Sequence, residues 1–285
     1  MANRHFGGFA DVWKHLVLTE VVADVKPLRY AETHAGSAAY PLLDDDERRF
    51  GVLAFLEAAA AGPALADTRF AHVLTEFVLG DPALYPGSAV QVMTVLGDGT
   101  AYRLCDLDPE SVRDLRSWVE RLSLHHCEVV ERDGMAAVGE WLPQTSAMVV
   151  HIDPFDPLAH EDGSPSAVDL AAAVAAAGHT LVYWYGYDTP AERGWAARRI
   201  QTGRTAPLWW GDFMVTGVDG SVRDDGRLGS PTAPGTGAGV VLANVSPRLV
   251  SRCEQIGREL QRAYEGRTLP TGEPGRLNWT CGATR

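Results

Sequence analysis

The stretch LRYAETHAGSA at residues 28–38 decides the fold class. Its first half, Leu28–Glu32, is a short apolar run typical of a buried strand. Glu32 then leads into a turn of small residues that contains Gly36. A strand that ends in an acid and a small-residue turn is how doubly wound folds let a nucleotide approach the backbone. The stretch therefore predicts the first strand of such a sheet, although a turn of this kind alone is more often only a turn.

Six further apolar runs, separated by helical patterns, predict the rest of an α/β sheet. They are Ala101–Asp106, Glu128–Glu131, Ala147–Ile152, Thr180–Tyr185, Leu208–Val215 and Ala238–Val245. The clearest helical patterns are Ala10–Val25, Pro109–Leu124 and Val168–Ala177. Strands that alternate with helices are typical of a Rossmann-like, largely parallel sheet.

Two regions interrupt this alternation. Residues 44–95 contain the Ala- and Leu-rich helical patterns Phe50–Ala61 and Asp67–Leu79, whereas a simple crossover needs only about a dozen residues. We predict a helical insertion subdomain at 44–95 within a single domain of residues 1–285. The second region, Val218–Gly239, is dense in Gly, Ser, Thr and Pro and is predicted to be a loop, either a functional lid or a disordered segment.

The composition is that of an acidic globular protein. The 285 residues include 25 basic and 37 acidic side chains, which gives a formal net charge of −12. This charge argues against broad attraction to a phosphate backbone but leaves a local basic groove open. The polar N-terminus and the absence of any run of about 18 apolar residues predict a cytoplasmic protein without a membrane span. Four scattered cysteines predict no metal site.

Acidic residues stand at the predicted ends of the second, third and fourth strands as well as the first. They are Asp106, Asp133 and Asp153. Because the carboxyl ends of parallel strands meet at one edge, these acids are expected to line one site. There, Asp106 is placed to accept from a ribose diol and Asp133 from an adenine amino group. A single acid at a strand end is common, but acids at four successive strand ends are much less frequent by chance.

With these residues, the sequence resembles the RlmJ family of 23S ribosomal RNA adenine-N6 methyltransferases over most of its length. The resemblance implies a class I methyltransferase sheet and S-adenosylmethionine as cofactor, and the helical insertion also matches that family. The matching segments are Ala10–His15, Glu32–Gly36, Tyr85–Ser88, Asp106–Pro109, Asp133–Gly134 and Asp153–Pro154.

The resemblance also implies which residues contact the cofactor. These are His15, His34, Ser88, Asp106 and Asp133, with Asp153 in the catalytic tetrapeptide. Lys14 on the predicted first helix and Gly36 in the turn complete the predicted cofactor-binding set. On the predicted first helix, Lys14 and His15 would reach the methionine carboxylate or form a wall of the cofactor site. The alternative for His15 and His34 is that each is an ordinary half-buried histidine without a ligand.

The catalytic segment departs from the family pattern Asp-Pro-Pro-Tyr. Here it is Asp153-Pro154-Phe155-Asp156, so an acid replaces the tyrosine that stacks on a flipped adenine in that family. Phe155 would form an apolar wall and Asp156 would select a cationic or amine acceptor. The alternative is that Asp156 only faces water.

These observations favour an S-adenosylmethionine-dependent enzyme that methylates a nitrogen of a small amine-bearing acceptor, with Asp153 orienting the amine. Three alternatives stay open. The first is adenine-N6 methylation of 23S ribosomal RNA, with Phe155 as the stacking ring. The second is a use of S-adenosylmethionine other than methyl transfer, and the third is a non-catalytic binding module on the same scaffold.

Overall fold

The computed structural model describes residues 6–144, 147–154, 165–201, 206–219 and 236–284. Its α-helices are α1 Phe9–Val25, α2 Asp46–Phe50, α3 Val52–Ala61, α4 Pro63–Ala66, α5 Arg69–Val78, α6 Ser88–Leu96, α7 Pro109–Arg121, α8 Gly134–Trp141, α9 Ala167–Ala176, α10 Trp195–Ile200 and α11 Pro247–Ala263. Its strands are β1 Arg29–Glu32, β2 Ala39–Pro41, β3 Leu84–Pro86, β4 Ala101–Asp106, β5 Cys127–Glu131, β6 Val149–Ile152, β7 Thr180–Tyr187, β8 Trp209–Gly217, β9 Gly237–Ala243, β10 Arg267–Thr268 and β11 Pro274–Ala283.

The main sheet has the order β10-β11-β8-β9-β7-β6-β1-β4-β5. The five neighbouring strands β5, β4, β1, β6 and β7 pair in parallel. Beyond β7 the sheet continues through β9, β8, β11 and β10 with antiparallel pairs. The chain thus starts in the middle of the sheet and winds outward, so that β1 and β6 flank the point where the strand order reverses. The predicted α/β, Rossmann-like fold class is confirmed.

Helices cover both faces of the sheet, because neighbouring side chains of each strand point to opposite sides. Val149 belongs to the hydrophobic cluster that includes Trp13 of α1, whereas Val150 belongs to the cluster that includes Leu170 of α9. Twelve of the seventeen residues of α1 are buried, because this helix lies between the sheet and other helices. Helix α1 therefore places side chains directly beside the strand ends.

The region 44–95 holds helices α2 to α6 and strand β3, which pairs with β2 in a separate two-stranded sheet. The helix predicted at Phe50–Ala61 is divided at Gly51, where a Cβ atom would lie 2.1 Å from the carbonyl oxygen of Gly7. The backbone thus passes too close for any side chain at this position. That the region forms a distinct subdomain stays a prediction.

The C-terminal part of the chain adds elements that the sequence patterns did not predict, namely α11 and β11. Of the predicted loop Val218–Gly239, Gly237 to Gly239 belong to β9, so the loop prediction is wrong at this end. The structure describes only Val218, Asp219 and Thr236 of the rest. Among the described helices, none has the length and apolar character needed to cross a bilayer.

Candidate active site at the carboxyl edge of the sheet

A buried carboxylate closes the end of β1. Glu32 is fully buried, and its Oε1 accepts a hydrogen bond of 2.5 Å from the hydroxyl of Ser88 and lies 2.8 Å from Nδ1 of His151. Its Oε2 accepts from the hydroxyl of Tyr30 at 3.0 Å. Both oxygens of Glu32 are therefore satisfied by protein groups, and this acid ties β1, β6 and the start of α6 together.

The turn after β1 is bound to the next acid of the edge. The backbone N–H of Gly36 donates to Oδ2 of Asp106 at 2.8 Å, while Oδ1 of Asp106 accepts from the N–H of Asp108 at 2.8 Å. Gly36 has φ +60°, in the left-handed region, and a Cβ atom there would lie 2.9 Å from the hydroxyl of Tyr40. Glycine is thus required at this turn, as the sequence pattern predicted.

Asp133 follows β5 and caps helix α8 by accepting from the backbone N–H groups of Met135 and Ala136. The next residue, Gly134, lies directly under the β1 turn, because a Cβ atom on it would be 2.0 Å from the carbonyl oxygen of Thr33. This contact brings Asp133 close to the turn and completes the row of predicted strand-end acids.

His15 is buried beneath the site and is neutral. Its Nδ1 lies 2.7 Å from the hydroxyl of Tyr85 and 2.9 Å from Nε2 of Gln91, an amide nitrogen that only donates. Burial, with the nearby Lys14 ammonium and His151, lowers the pKa of His15 well below its usual value. His15 thus accepts at Nδ1 and carries its proton on Nε2.

His34 lies within the β1 turn and is partly exposed, with Nδ1 2.9 Å from the hydroxyl of Thr33. Burial lowers its pKa, and the carboxylates of Asp153, Asp106 and Asp133 oppose this shift only in part. All three carboxylates thus lie close enough to His34 to act on it electrostatically.

The ammonium of Lys14 binds two carboxylates, one that follows β6 and one on its own helix α1. Its Nζ lies 2.6 Å from Oδ2 of Asp153 and 2.8 Å from Oδ1 of Asp11, and the lysine side chain is only 9% exposed. Burial alone lowers the pKa of Lys14, but the two acids outweigh burial and raise it above its usual value. Lys14 therefore stays protonated.

Asp153 is held in its ionised form. Burial alone raises the pKa of Asp153, but the Lys14 ammonium, with His151 and His34, outweighs burial and lowers it. Among the described residues, none donates a hydrogen bond to Oδ1 of Asp153, and the side chain is 18% exposed. One carboxylate oxygen is thus fixed by Lys14, while the other has no donor in the part of the chain that the structure describes.

The residues present fit an adenosyl cofactor. A ribose diol needs an acceptor carboxylate beside a backbone without side-chain bulk, and Asp106 with Gly36 offers both. The adenine amine would need a second acceptor at the neighbouring strand end, which is the position of Asp133. Ser88 donates to Glu32 at the same edge, and Phe155 and Asp156 lie outside the described residues.

Three side chains of the site were missed by the sequence patterns: Asp11, His151 and Trp184. Asp11 carried a usable signal, because residues three apart on a helix are neighbours and Asp11 precedes Lys14 by three. His151 precedes Asp153 by two and so points to the same face. Trp184 carried no usable signal, because an aromatic residue within a predicted strand is usually part of the core.

No protein-family model matches the sequence. A curated relative, the ribosomal RNA large subunit methyltransferase J of Escherichia coli (strain K12), is 30% identical over 162 residues. The alignment covers 53% of this chain and 56% of that protein, so the chain matches little more than half the length of this relative.

The crystal structure of protein LPL1258 from Legionella pneumophila superposes with a TM-score of 0.71 at 22% identity, covering 98% of both chains. At this identity the likeness establishes a shared fold. A probable spermidine synthase from Corynebacterium glutamicum matches at 12% identity with a TM-score of 0.45, over 95% of this chain and 75% of that one, which is too low to support an inference.

Proposed function

We propose that this chain is an S-adenosylmethionine-dependent methyltransferase that methylates a nitrogen of a small amine-bearing acceptor. The observation that carries the proposal is the state of Asp153. Lys14 holds this carboxylate ionised at the carboxyl edge of the sheet, and no residue in the described ranges donates to Oδ1. An acceptor N–H that donates to Oδ1 has its nitrogen fixed beside the row of acids proposed to hold the cofactor.

For the cofactor we propose the residues named from the sequence, with Asp106 on the ribose hydroxyls and Asp133 on the adenine amine. The set is Lys14, His15, His34, Gly36, Ser88, Asp106 and Asp133. The support is their common position at the ends of adjacent strands β1, β4 and β5, and on the helices α1 and α6 that pack beside them.

S-adenosylmethionine, when bound, supplies an electrophilic methyl group on a sulfonium. The protein's part is alignment, which is the main source of acceleration in such a displacement. Asp153 accepts from the acceptor amine and so orients the nitrogen lone pair, while Lys14 keeps the carboxylate ionised. The acceptor reacts as the neutral amine, because a protonated nitrogen has no lone pair, so its ammonium loses a proton to solvent before the transfer. The methylated nitrogen then carries the positive charge, which the Asp153 carboxylate stabilises.

A small acceptor is favoured over a polyanion by the net charge of −12. Phe155 and Asp156, which follow Asp153 in sequence, are proposed as an apolar wall and a charge-selecting acid.

The test is methyl transfer from tritiated S-adenosylmethionine to a panel of small amines, with Asp153→Asn as the control variant. We expect label in an amine and S-adenosylhomocysteine in equal amounts, and little of either with the variant. Methylthioadenosine in place of S-adenosylhomocysteine would instead indicate that another carbon of the sulfonium reacts. If S-adenosylmethionine does not bind at all in calorimetry, the chain is a binding module and the proposal fails.

The second candidate is adenine-N6 methylation of 23S ribosomal RNA. It is favoured by the 30% identity over 162 residues to a ribosomal RNA large subunit methyltransferase. It requires protein-free ribosomal RNA to be labelled at adenine, and its RNA affinity to fall steeply with salt. Label in the RNA and in none of the amines would replace the first proposal by this one.

A further inference from the structure

A glutamine side chain lies next to His15 in an otherwise apolar stretch of helix α6. Gln91 is fully buried, as are its neighbours Val90 and Val92. Its Oε1 has no donor among the described residues, and an unpaired buried acceptor destabilises a fold. An aliphatic side chain would fill the same space without an unpaired atom. Packing of the interior therefore does not account for an amide at this position.

The carbonyl group of Pro86 fixes the orientation of this amide. Nε2 of Gln91 lies 2.8 Å from the carbonyl oxygen of Pro86 and 2.9 Å from Nδ1 of His15. Because a carbonyl oxygen only accepts, the nitrogen of the amide and not its oxygen faces this side. The two amide hydrogens then go to these two acceptors. Gln91 thus donates to Nδ1 of His15, which carries no proton.

The other neighbour of Nδ1, the hydroxyl of Tyr85 at 2.7 Å, does not decide the position of the proton. A hydroxyl donates or accepts, so it pairs either with a bare ring nitrogen or with an N–H. The amide nitrogen of Gln91 only donates and so excludes a proton on Nδ1. Among the described neighbours of this nitrogen, Gln91 alone therefore fixes the tautomer of His15.

The N–H group of His15 is left for a ligand. None of the described residues accepts from Nε2, and this nitrogen is not among the unpaired polar atoms that the fold seals from solvent. The predicted site residues Asp106, Asp133 and Asp153 are carboxylates, which accept and do not donate when ionised. His15 thus offers a donor at an edge of the sheet that is rich in acceptors.

We propose that Gln91 is a positioning residue of the cofactor site, which fixes the tautomer of His15 so that Nε2–H donates to the carboxylate of S-adenosylmethionine. This carboxylate needs donors, and the acids of the edge supply none. A proton held on Nε2 before the ligand binds means that no change of tautomer accompanies binding, and such preorganisation raises affinity. The proposal rests on the proposed function, since it concerns how the same site holds its cofactor.

The first test is the ¹⁵N NMR spectrum of the histidine rings in labelled protein, with the His15 signals assigned from their loss in His15→Asn. We expect a protonated Nε2 and a bare Nδ1 in wild type. Gln91→Met keeps the length of the side chain but has no donor. Tyr85 can then accept from Nδ1, and both tautomers should be populated. A proton on Nδ1 in wild type, or an unchanged spectrum in Gln91→Met, would overturn the inference.

Tyr85→Phe is the matched control. Tyr85 is also buried and contacts the same ring nitrogen, but its loss leaves the Gln91 amide in place. The spectrum of Tyr85→Phe is therefore expected to keep the proton on Nε2. If Tyr85→Phe instead redistributed the proton as Gln91→Met does, the hydroxyl and not the amide would fix the tautomer, and the inference would fail.

The second test compares two ligands in calorimetry. S-adenosylhomocysteine carries the carboxylate, whereas methylthioadenosine keeps the adenosine and the sulfur but lacks the carboxylate. Gln91→Met is expected to bind S-adenosylhomocysteine about tenfold more weakly than wild type and methylthioadenosine with unchanged affinity. A loss of packing would weaken both ligands alike, and that result would overturn the positioning role of Gln91.

Failure of this inference differs from failure of the proposed function. If wild type binds S-adenosylhomocysteine and transfers methyl groups, but Gln91→Met matches it in spectrum and affinity, the inference alone is overturned. If wild type binds neither S-adenosylmethionine nor S-adenosylhomocysteine, the proposed function fails, and the donation from His15 to the cofactor fails with it. The NMR spectra then still show whether Gln91 fixes the tautomer.

Discussion

The chain buries two aspartates near the same edge of the sheet, and their pKa values shift in opposite directions. Asp153 lies beside the Lys14 ammonium, which outweighs burial and lowers the pKa. Asp212 of β8 is fully buried among neutral donors, the hydroxyls of Tyr185 and Tyr187 and the N–H of Gly194. Burial raises the pKa of Asp212, and its neutral donors together with the Arg193 guanidinium oppose this shift only in part.

The difference separates a reactive group from a structural one. Asp153 has one oxygen open among the described residues, whereas both oxygens of Asp212 accept hydrogen bonds that join β7, β8 and the start of α10. A carboxylate that is ionised, oriented and incompletely satisfied is prepared for a ligand. The hydrogen bonds of Asp212 connect three different elements, and this carboxylate therefore joins parts of the fold.

Asp153→Asn is expected to have the largest effect. The amide is uncharged, so it stabilises the positive charge that develops on the nitrogen less well and loses the attraction to Lys14, and kcat should fall by about 10²–10⁴-fold. Affinity for S-adenosylmethionine, measured by calorimetry, should change little. Asp212→Asn is the matched control, and its activity should stay within a few-fold of wild type. Equal losses of activity in the two variants would contradict the distinction between a reactive Asp153 and a structural Asp212.

Lys14→Met is expected to be next. It leaves Asp11 and Asp153 without their cation, and breaking a buried ion pair by removing one partner costs about 3–5 kcal/mol of unfolding free energy. The pKa of Asp153 should rise, so the remaining activity moves to higher pH. Urea unfolding and a pH–rate profile measure both effects. Arg49→Met, which breaks an exposed pair with Asp44, should leave both unchanged.

The two aspartates should also give opposite pH dependences of stability. The pKa of Asp153 is lowered, so its contribution is present above the unfolded-state value and lost as pH falls through the folded value. The pKa of Asp212 is raised, so its contribution is present at low pH and lost as pH rises through the folded value. The measurement is the unfolding free energy in urea across this pH range. Asp153→Asn should lose less stability than wild type as the pH falls, and Asp212→Asn should lose less stability than wild type as the pH rises. If both substitutions changed the pH dependence of stability in the same direction, the opposite pKa shifts of the two aspartates would be contradicted.

The smallest effect is expected for the stability of Asp212→Asn near neutral pH. An asparagine oxygen at the Oδ2 position still accepts from Gly194 and Tyr185, while its amide donates to the hydroxyl of Tyr187, which in turn donates to the carbonyl of Phe213. The unfolding free energy should change by about 1 kcal/mol or less. A loss of several kcal/mol would mean that the charge of Asp212 itself stabilises the fold.

The sequence predicted the sheet well because its strands are short apolar runs that end in acids or small turns. All seven predicted strands are present, and the site residues Gly36, Asp106 and Asp133 meet where the parallel order requires. β11 escaped prediction because its sequence PGRLNWTCGA is polar and largely half-buried. Helix α11 was missed although Ser246 and Pro247 carry a start signal.

The acceptor side of the site was harder to predict. The contact between Lys14 and Asp153 joins residues 139 apart in the chain, and it exists only because α1 packs beside the end of β6. Periodicity within a segment carries no information on such a pairing. The same holds for the buried Glu32 and His151, whose positions depend on the register of β1 against β6.

The most direct test of the central claim is the formation of S-adenosylhomocysteine with a small alkylamine, measured in parallel with S-adenosylmethionine affinity in wild type and Asp153→Asn. The account predicts equal affinity in the two proteins, product formation by wild type, and a loss of about 10²–10⁴-fold in the variant. Equal product formation by both proteins would contradict it.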